Sequence, residues 1–184
     1  MKKCLLVLLI LIVVLVGVGV SNYNSLIPLE EEVNSSWAQV ENILKSRADL
    51  IPNLVNTVKG YADHESEVFI KVTEARSKVL EANSPEEYAE ANAELDKALV
   101  DINMVVEAYP ELKANQNFLN LQAELTGMEN KLATERLRYN DSVQNYNSIT
   151  RKFPKNIFAK LFGFEQKEYF KINEEDAKVP EVNF

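Results

Sequence analysis

The sequence predicts an all-α protein, with an N-terminal transmembrane helix followed by an up-and-down antiparallel four-helix bundle. Three observations predict it. Residues 4–20 form an uncharged apolar run of 17 residues, which as a helix spans about 25 Å. After residue 30, apolar residues recur in steps of three and four, and no alternation of period two is sustained. Glycine (5) and proline (6) are scarce in 184 residues, too few turn formers for a sandwich or a barrel.

The N-terminus is read first. Lys2 and Lys3 precede the apolar run, and the next charges are Glu30, Glu31 and Glu32. The run exceeds the usual core of a cleaved signal peptide, and Gly17-Val18-Gly19 is not the preferred Ala-x-Ala site. An uncleaved signal anchor over 4–22 is therefore expected, after a short cytoplasmic N-terminus, residues 1–3. With lysines on the N-terminal side and no basic residue beyond the span until Lys45, the positive-inside rule places the N-terminus in the cytoplasm and the bundle outside it. Cys4 precedes the apolar run, whereas a lipoprotein cysteine follows it. It reads as an apolar residue at the membrane edge.

Each bundle helix has a stripe and local boundaries. The expected helices are 29–59, 62–82, 85–108 and 111–150, within a bundle at 29–150. The first stripe runs Val33, Trp37, Val40, Leu44, Arg47, Ile51, Leu54, Val58. The second passes through Val68 or Phe69, Val72, Ala75 or Arg76, and Val79, and the third through Tyr88, Ala91, Leu95, Leu99, Ile102, Val106 and Tyr109. The fourth passes through Phe118, Leu121, Leu125, Met128, Leu132, Arg136, Tyr139, Val143 and Tyr146. Ser84-Pro85-Glu86-Glu87 is a helix start, with Ser84 as N-cap and Glu87 at the capping-box position. Pro110 ends the third helix at Tyr109. Pro52 removes a donor and crowds the carbonyl of Ala48, so a kink or break is expected there. The membrane helix can run straight into the first bundle helix, with Pro28 as the only interruption between them. Short connections imply antiparallel neighbours.

Charges on the stripes admit two readings. Arg47 and Arg136 fall on core-facing positions and Arg76 at a stripe edge, with Asp49, Glu65, Glu129 and Glu135 near in the pattern. Either the arginines lie at the margins and reach solvent along their stems, or Arg47, Arg76, Glu129 and Arg136 form a structural polar layer that fixes helix register.

Composition excludes several chemistries. One Cys excludes a disulfide framework, and one His (His64) excludes a His/Cys zinc site and a di-iron bundle. The formal charge of −8 gives the chain little attraction for nucleic acid. The only close glycine pair, Gly17 and Gly19, lies in the apolar run, so there is no phosphate loop, and no Gly-x-Ser-x-Gly elbow appears. No catalytic residue, cofactor or metal is expected. His64 reads as a capping or surface residue. Asn140 and Asn147, one heptad apart beside the buried face, read as bridges between helices or as partner contacts.

The C-terminal part changes character. Residues 21–150 carry 11 basic and 22 acidic residues, whereas 151–171 carry six basic and two acidic. Six of the eight Phe lie from Phe153 onward. KNIFAKLFGF at 155–164 suits a short amphipathic helix in which Lys155, Phe158, Lys160 and Phe162 contact lipid or a partner. Alternatively the segment folds back over one end of the bundle and buries its rings. Residues 172–184 are expected to be a loose acidic tail.

These segments together resemble the LemA family of small, membrane-anchored bacterial proteins. The resemblance rests on Tyr23-Asn24-Ser25-Leu26, Val33 with Trp37, RADLIPNLVNTVKGYADHE at 47–65, Ala75-Arg76, AYPELKANQNFLNLQAEL at 108–125, Glu129, ERLRYNDSVQNYN at 135–147 and Phe153-Pro154. It implies one N-terminal membrane helix, a LemA-like four-helix bundle and no established activity, with some relatives tied to membrane remodelling or vesicle formation. The expected function is a non-enzymatic, membrane-anchored scaffold or interaction protein of the bacterial cell envelope. The alternative is a self-assembling, membrane-shaping protein. The expected partners are membrane lipid through the N-terminal helix, an unidentified protein and a second copy of the chain, with no nucleic acid.

Overall fold

A computed structural model describes residues 2–171, apart from the side chain of Cys4. The membrane-edge role expected for Cys4 and the acidic tail expected at 172–184 therefore lie outside the described residues. Every regular element among the described residues is a helix, and none is a strand. The helices are α1 (Lys2–Lys59), α2 (Ser66–Glu81), α3 (Pro85–Glu107), α4 (Pro110–Lys113), α5 (Gln116–Arg151) and α6 (Lys155–Phe162).

The longest departure from expectation is α1. It is one helix of 58 residues and runs unbroken through both Pro28 and Pro52. Its N-terminal part is long and apolar enough to cross a membrane, and residues such as Leu6, Ile10 and Val14 are more than half exposed. A proline inside a helix leaves the carbonyl four residues earlier without its helical donor. For Pro52 that carbonyl belongs to Ala48, which is fully buried, and Arg76 of α2 donates its Nε–H to it at 2.8 Å. A side chain from another helix supplies the bond that the proline removes, and the helix continues.

The other boundaries have local causes. Ser84 Oγ accepts from Glu87 N at 3.2 Å, and the Glu87 carboxylate accepts from Asn83 N at 2.8 Å. Pro85 takes the first helical position of α3. α3 ends at Glu107 with Ala108 as its C-cap, and Tyr109, the residue before Pro110, has left the helical region (φ −122°, ψ 88°). The single helix expected at 111–150 is two. After the one turn of α4, Asn115 Oδ1 accepts from Asn117 N (2.9 Å) and Phe118 N (3.1 Å) and so starts α5 afresh.

The described residues form two compact units, one from Met1–Trp37 and Arg138–Glu168, the other from Ala38–Leu137 and residues 169–171. The core of the second unit is the heptad stripes: Val40, Leu44, Ile51 and Val58 of α1, Val72 and Val79 of α2, Leu95 and Ile102 of α3, and Leu132 of α5 are essentially inaccessible. On α3 the buried row runs through Ala98 rather than Leu99, which is half-buried, as are Leu121 and Met128 on α5. The first unit has a smaller core around Leu26, Val33, Val143 and Tyr146. There Ser36 and Ser142 are buried as a hydroxyl pair, 2.8 Å apart, each also bonded to a backbone carbonyl of its own helix.

Candidate functional site

Within the Ala38–Leu137 unit the arginines of the stripes are engaged in different ways. Arg47 is 5% exposed. One of its terminal nitrogens donates to Asn92 Oδ1 at 2.8 Å and lies 2.8 Å from Glu129 Oε2, and the other donates to Asp96 Oδ1. Asn92 Nδ2 closes the ring by donating to Asp96 Oδ2 at 3.0 Å. A buried guanidinium needs such a set, because removing a charge from water is costly unless it is paired and hydrogen-bonded. The two carboxylates keep part of their hydration, each with 41% of the side chain exposed. Asn92 and Asp96, four residues apart on α3, belong to this cluster although the stripe reading did not select them. Their i, i+4 spacing beside buried Leu95 was the available signal.

Arg76 and Arg136 are placed elsewhere. Arg76 donates to the Ala48 carbonyl and lies 3.9 Å from Asp49, whose side chain is largely exposed. Arg136 is half-buried, with its guanidinium carbon 5.0 Å from the centre of the Phe170 ring. Burial pushes the Arg136 guanidinium below its ordinary range, and Glu129 and Asp96 oppose that shift. Arg47 and Glu129 also line a cavity of about 200 Å³ whose other walls include Leu54, Leu99, Phe118 and Leu125. His64 is exposed in the turn between α1 and α2.

The coupling of Arg76 to Pro52 is directly testable. Arg76→Ala is expected to cost about 1–3 kcal/mol, the range for leaving a buried acceptor unsatisfied. In a Pro52→Ala background the new backbone N–H reaches the Ala48 carbonyl, and the same substitution should cost less than half as much. A double-mutant cycle by urea unfolding measures this. Equal losses in the two backgrounds would reject the role given to Arg76.

In the Met1–Trp37 and Arg138–Glu168 unit, the chain after α6 is laced to α5. Asn147 is buried; its Nδ2 donates to the Lys167 carbonyl at 2.8 Å and its Oδ1 accepts from Lys167 N at 2.9 Å. Asn147 thus bridges to an extended segment and not to a helix. Tyr139 donates its hydroxyl to the Glu168 carbonyl at 2.7 Å, and its ring packs 5.2 Å from Trp37. Lys167 completes the lacing with an ion pair to Glu30 at 2.6 Å and lies 5.7 Å over the Tyr146 ring. Burial raises the Tyr139 and Tyr146 phenols to about 12, aided by Glu168 at Tyr139 and by Glu30 and Glu165 at Tyr146.

α6 itself is capped by Gly163 in the left-handed conformation (φ 78°), which only glycine adopts without strain. Of the residues expected to meet lipid or a partner, Lys160 is exposed and Lys155 is half-buried. Phe158 and Phe162 turn toward α1: a Cβ on Gly19 would stand 3.7 Å from Phe158 and 3.9 Å from Phe162. Tyr23 meets Phe162 edge-on at 5.2 Å and Phe164 at 5.7 Å. The apolar side chains left outward are Phe153 (80% exposed), Leu161 (71%) and Ile157 (56%), and Phe162 keeps 41% of its surface exposed beside Tyr23.

Comparison with known proteins bears on these features. The two magnetosome proteins MamQ 1 and MamQ 2 of Paramagnetospirillum magneticum are each 25% identical to the chain, over 80% of its length. Protein LemA of Metamycoplasma hominis is 25% identical over 77% of it. The chain spans only 64% of the length of the MamQ relatives and 62% of that LemA protein. The family model described as the LemA family matches residues 36–184, which takes in the Arg47 cluster, the Arg76 contact, the Asn147 lacing and α6. By that match the chain, an all-helical protein with one apolar N-terminal helix, belongs to the LemA family.

Proposed function

We propose that the protein is a non-enzymatic, membrane-tethered helical scaffold of the bacterial cell envelope. Residues 4–22 cross the cytoplasmic membrane as an uncleaved anchor with the N-terminus in the cytoplasm. The segment 29–150 forms an up-and-down antiparallel four-helix bundle outside it, and a helical face of that bundle meets a protein partner. The observation that carries the reading is the unbroken course of α1 from Lys2 to Lys59, because an apolar span and a bundle helix then share one backbone with no loop between them. The non-enzymatic part draws on the Arg47 guanidinium being engaged by Asn92, Asp96 and Glu129. The acidic charge of 21–150 speaks against nucleic acid as a partner.

Protease shaving of spheroplasts tests it. The expected result is digestion of the bundle without lysis, leaving a short membrane-bound N-terminal fragment. Full protection until lysis would overturn the orientation, and release of the intact bundle into the medium would overturn the anchor.

A second reading, a self-assembling membrane-shaping protein, draws on Val100 and Met104. They lie one turn apart on α3 and are 56% and 58% exposed. Crosslinking in native membranes separates the two readings: discrete multimers favour assembly, and monomers favour the simple scaffold.

A further inference from the structure

We propose that α6 is a second membrane contact, an interfacial helix that lies in the headgroup–acyl boundary of an anionic phospholipid bilayer beside the exit of α1. The proposal rests on the reading of α1 as a membrane span. It starts from depth. Counted from the last lysine of the N-terminus, a hydrocarbon core about 30 Å thick takes about 20 helical residues, so the core ends near residue 23. Gly19 and Tyr23 fall in the last turns of that count, and they are the residues on which Phe158, Phe162 and Phe164 pack. Gly19, though its neighbours along the span are exposed, is buried. The Phe158 and Phe162 rings cover it at ordinary van der Waals distance from where a Cβ would stand, 3.7 and 3.9 Å. The contact therefore holds α6 at the level where a bilayer passes from acyl chains to headgroups, where a tyrosine such as Tyr23 is also favoured.

The surface of α6 suits that level. Ile157 and Leu161, four residues apart, are 56% and 71% exposed, and Phe153 just before the helix is 80% exposed. An outward apolar cluster on a helix whose inner face is already packed requires another apolar surface to cover it. The same stretch of chain carries Arg151, Lys152 and Lys160, all exposed, and half-buried Lys155. Apolar residues in the middle and cations at the margin are the pattern of a helix lying in an anionic interface. α6 is held against the span at Gly19 through Phe158 and Phe162, so the bilayer that surrounds α1 is the apolar surface nearest to hand. With α1 and α6 both engaged, the exit of the span is fixed at two points and not one.

The test uses the full chain carrying Cys4→Ser, with single cysteines introduced by Leu161→Cys, Leu11→Cys or Glu86→Cys. Each is labelled with an environment-sensitive dye and reconstituted in phosphatidylcholine vesicles containing phosphatidylglycerol. The dye at 161 is expected to be quenched by shallow lipid nitroxides and to show several-fold weaker iodide quenching than the dye at 86. Iodide quenching at 161 equal to that at 86 would overturn the proposal. So would shielding from both quenchers, which is the signature of cover by a second copy or another protein. Lys155→Glu with Lys160→Glu is expected to reduce lipid quenching at 161 and to leave it unchanged at 11; no change at 161 overturns the headgroup assignment. The dye at 11 separates the two readings. If it is lipid-quenched while 161 faces water, only α6 has been misread; if it faces water itself, the anchor reading fails.

Discussion

Removing both carboxylates from Arg47, with Asp96→Ala and Glu129→Ala together, is expected to cost about 3–5 kcal/mol, the range for breaking a buried ion pair from one side. The loss arises on the arginine side. Arg47 is 5% exposed and would keep only the Asn92 carbonyl as a partner, whereas Asp96 and Glu129 are already partly in water. Two consequences follow from that asymmetry. Arg47→Met in the natural background should cost less than the double carboxylate substitution, because the stranded carboxylates rehydrate. Arg47→Met added to the double variant should recover most of the loss, since a thioether side chain fills the same channel without a charge. Urea unfolding of the full chain in detergent, followed by far-ultraviolet circular dichroism, measures all three. A double carboxylate variant as stable as the natural chain would mean that Arg47 reaches water and that the cluster holds nothing in register.

How much of this was legible in the sequence depends on how far apart the interacting residues are. The helices were legible because a stripe in steps of three and four is a local property. The start of α3 was legible because Ser84, Pro85 and Glu87 satisfy helix-end donors within four residues of one another. The break at Asn115 was passed over because a single-turn helix such as α4 has no periodicity to show. Pro52 was read by its local effect, a lost donor at Ala48, and that effect is present. What the local reading lacked is Arg76, 28 residues away, which supplies the donor and keeps α1 whole. The same limit applies to Arg47, where Glu129 was selected and Asn92 and Asp96 were not, and to α6. A hydrophobic stripe shows that Phe158 and Phe162 share a face with Ile157 and Leu161. It does not show that Gly19 receives the two rings and leaves the two aliphatic side chains outside.

The unit built from Met1–Trp37 and Arg138–Glu168 should lose stability steeply in alkali, and Tyr139 and Tyr146 are the cause. Burial raises both phenols from 10 to about 12. A raised phenol holds its proton in the folded chain while the unfolded chain releases it. The associated stability is complete below about pH 10 and is lost as the pH rises toward 12, about 2–3 kcal/mol for each group. The structural reason differs between the two. The Tyr139 proton is committed to the Glu168 carbonyl, so ionisation breaks a hydrogen bond and sets a phenolate against an acceptor. The Tyr146 hydroxyl is buried with no hydrogen-bond partner among the described residues, and Glu30 and Glu165 repel its phenolate. Tyr146→Phe therefore removes a group that makes no bond. It is expected to be neutral near pH 7, within about 0.5 kcal/mol, and more stable than the natural chain at about pH 11.5 by on the order of 2 kcal/mol. Tyr139→Phe also flattens the alkaline loss but costs stability near neutrality, because the Glu168 carbonyl is left without its donor. Urea unfolding at about pH 8 and about pH 11.5 compares each variant with the natural chain, so lysine titration common to both cancels. Identical alkaline losses in the natural chain and in Tyr146→Phe would show that the phenol reaches water before the unit unfolds.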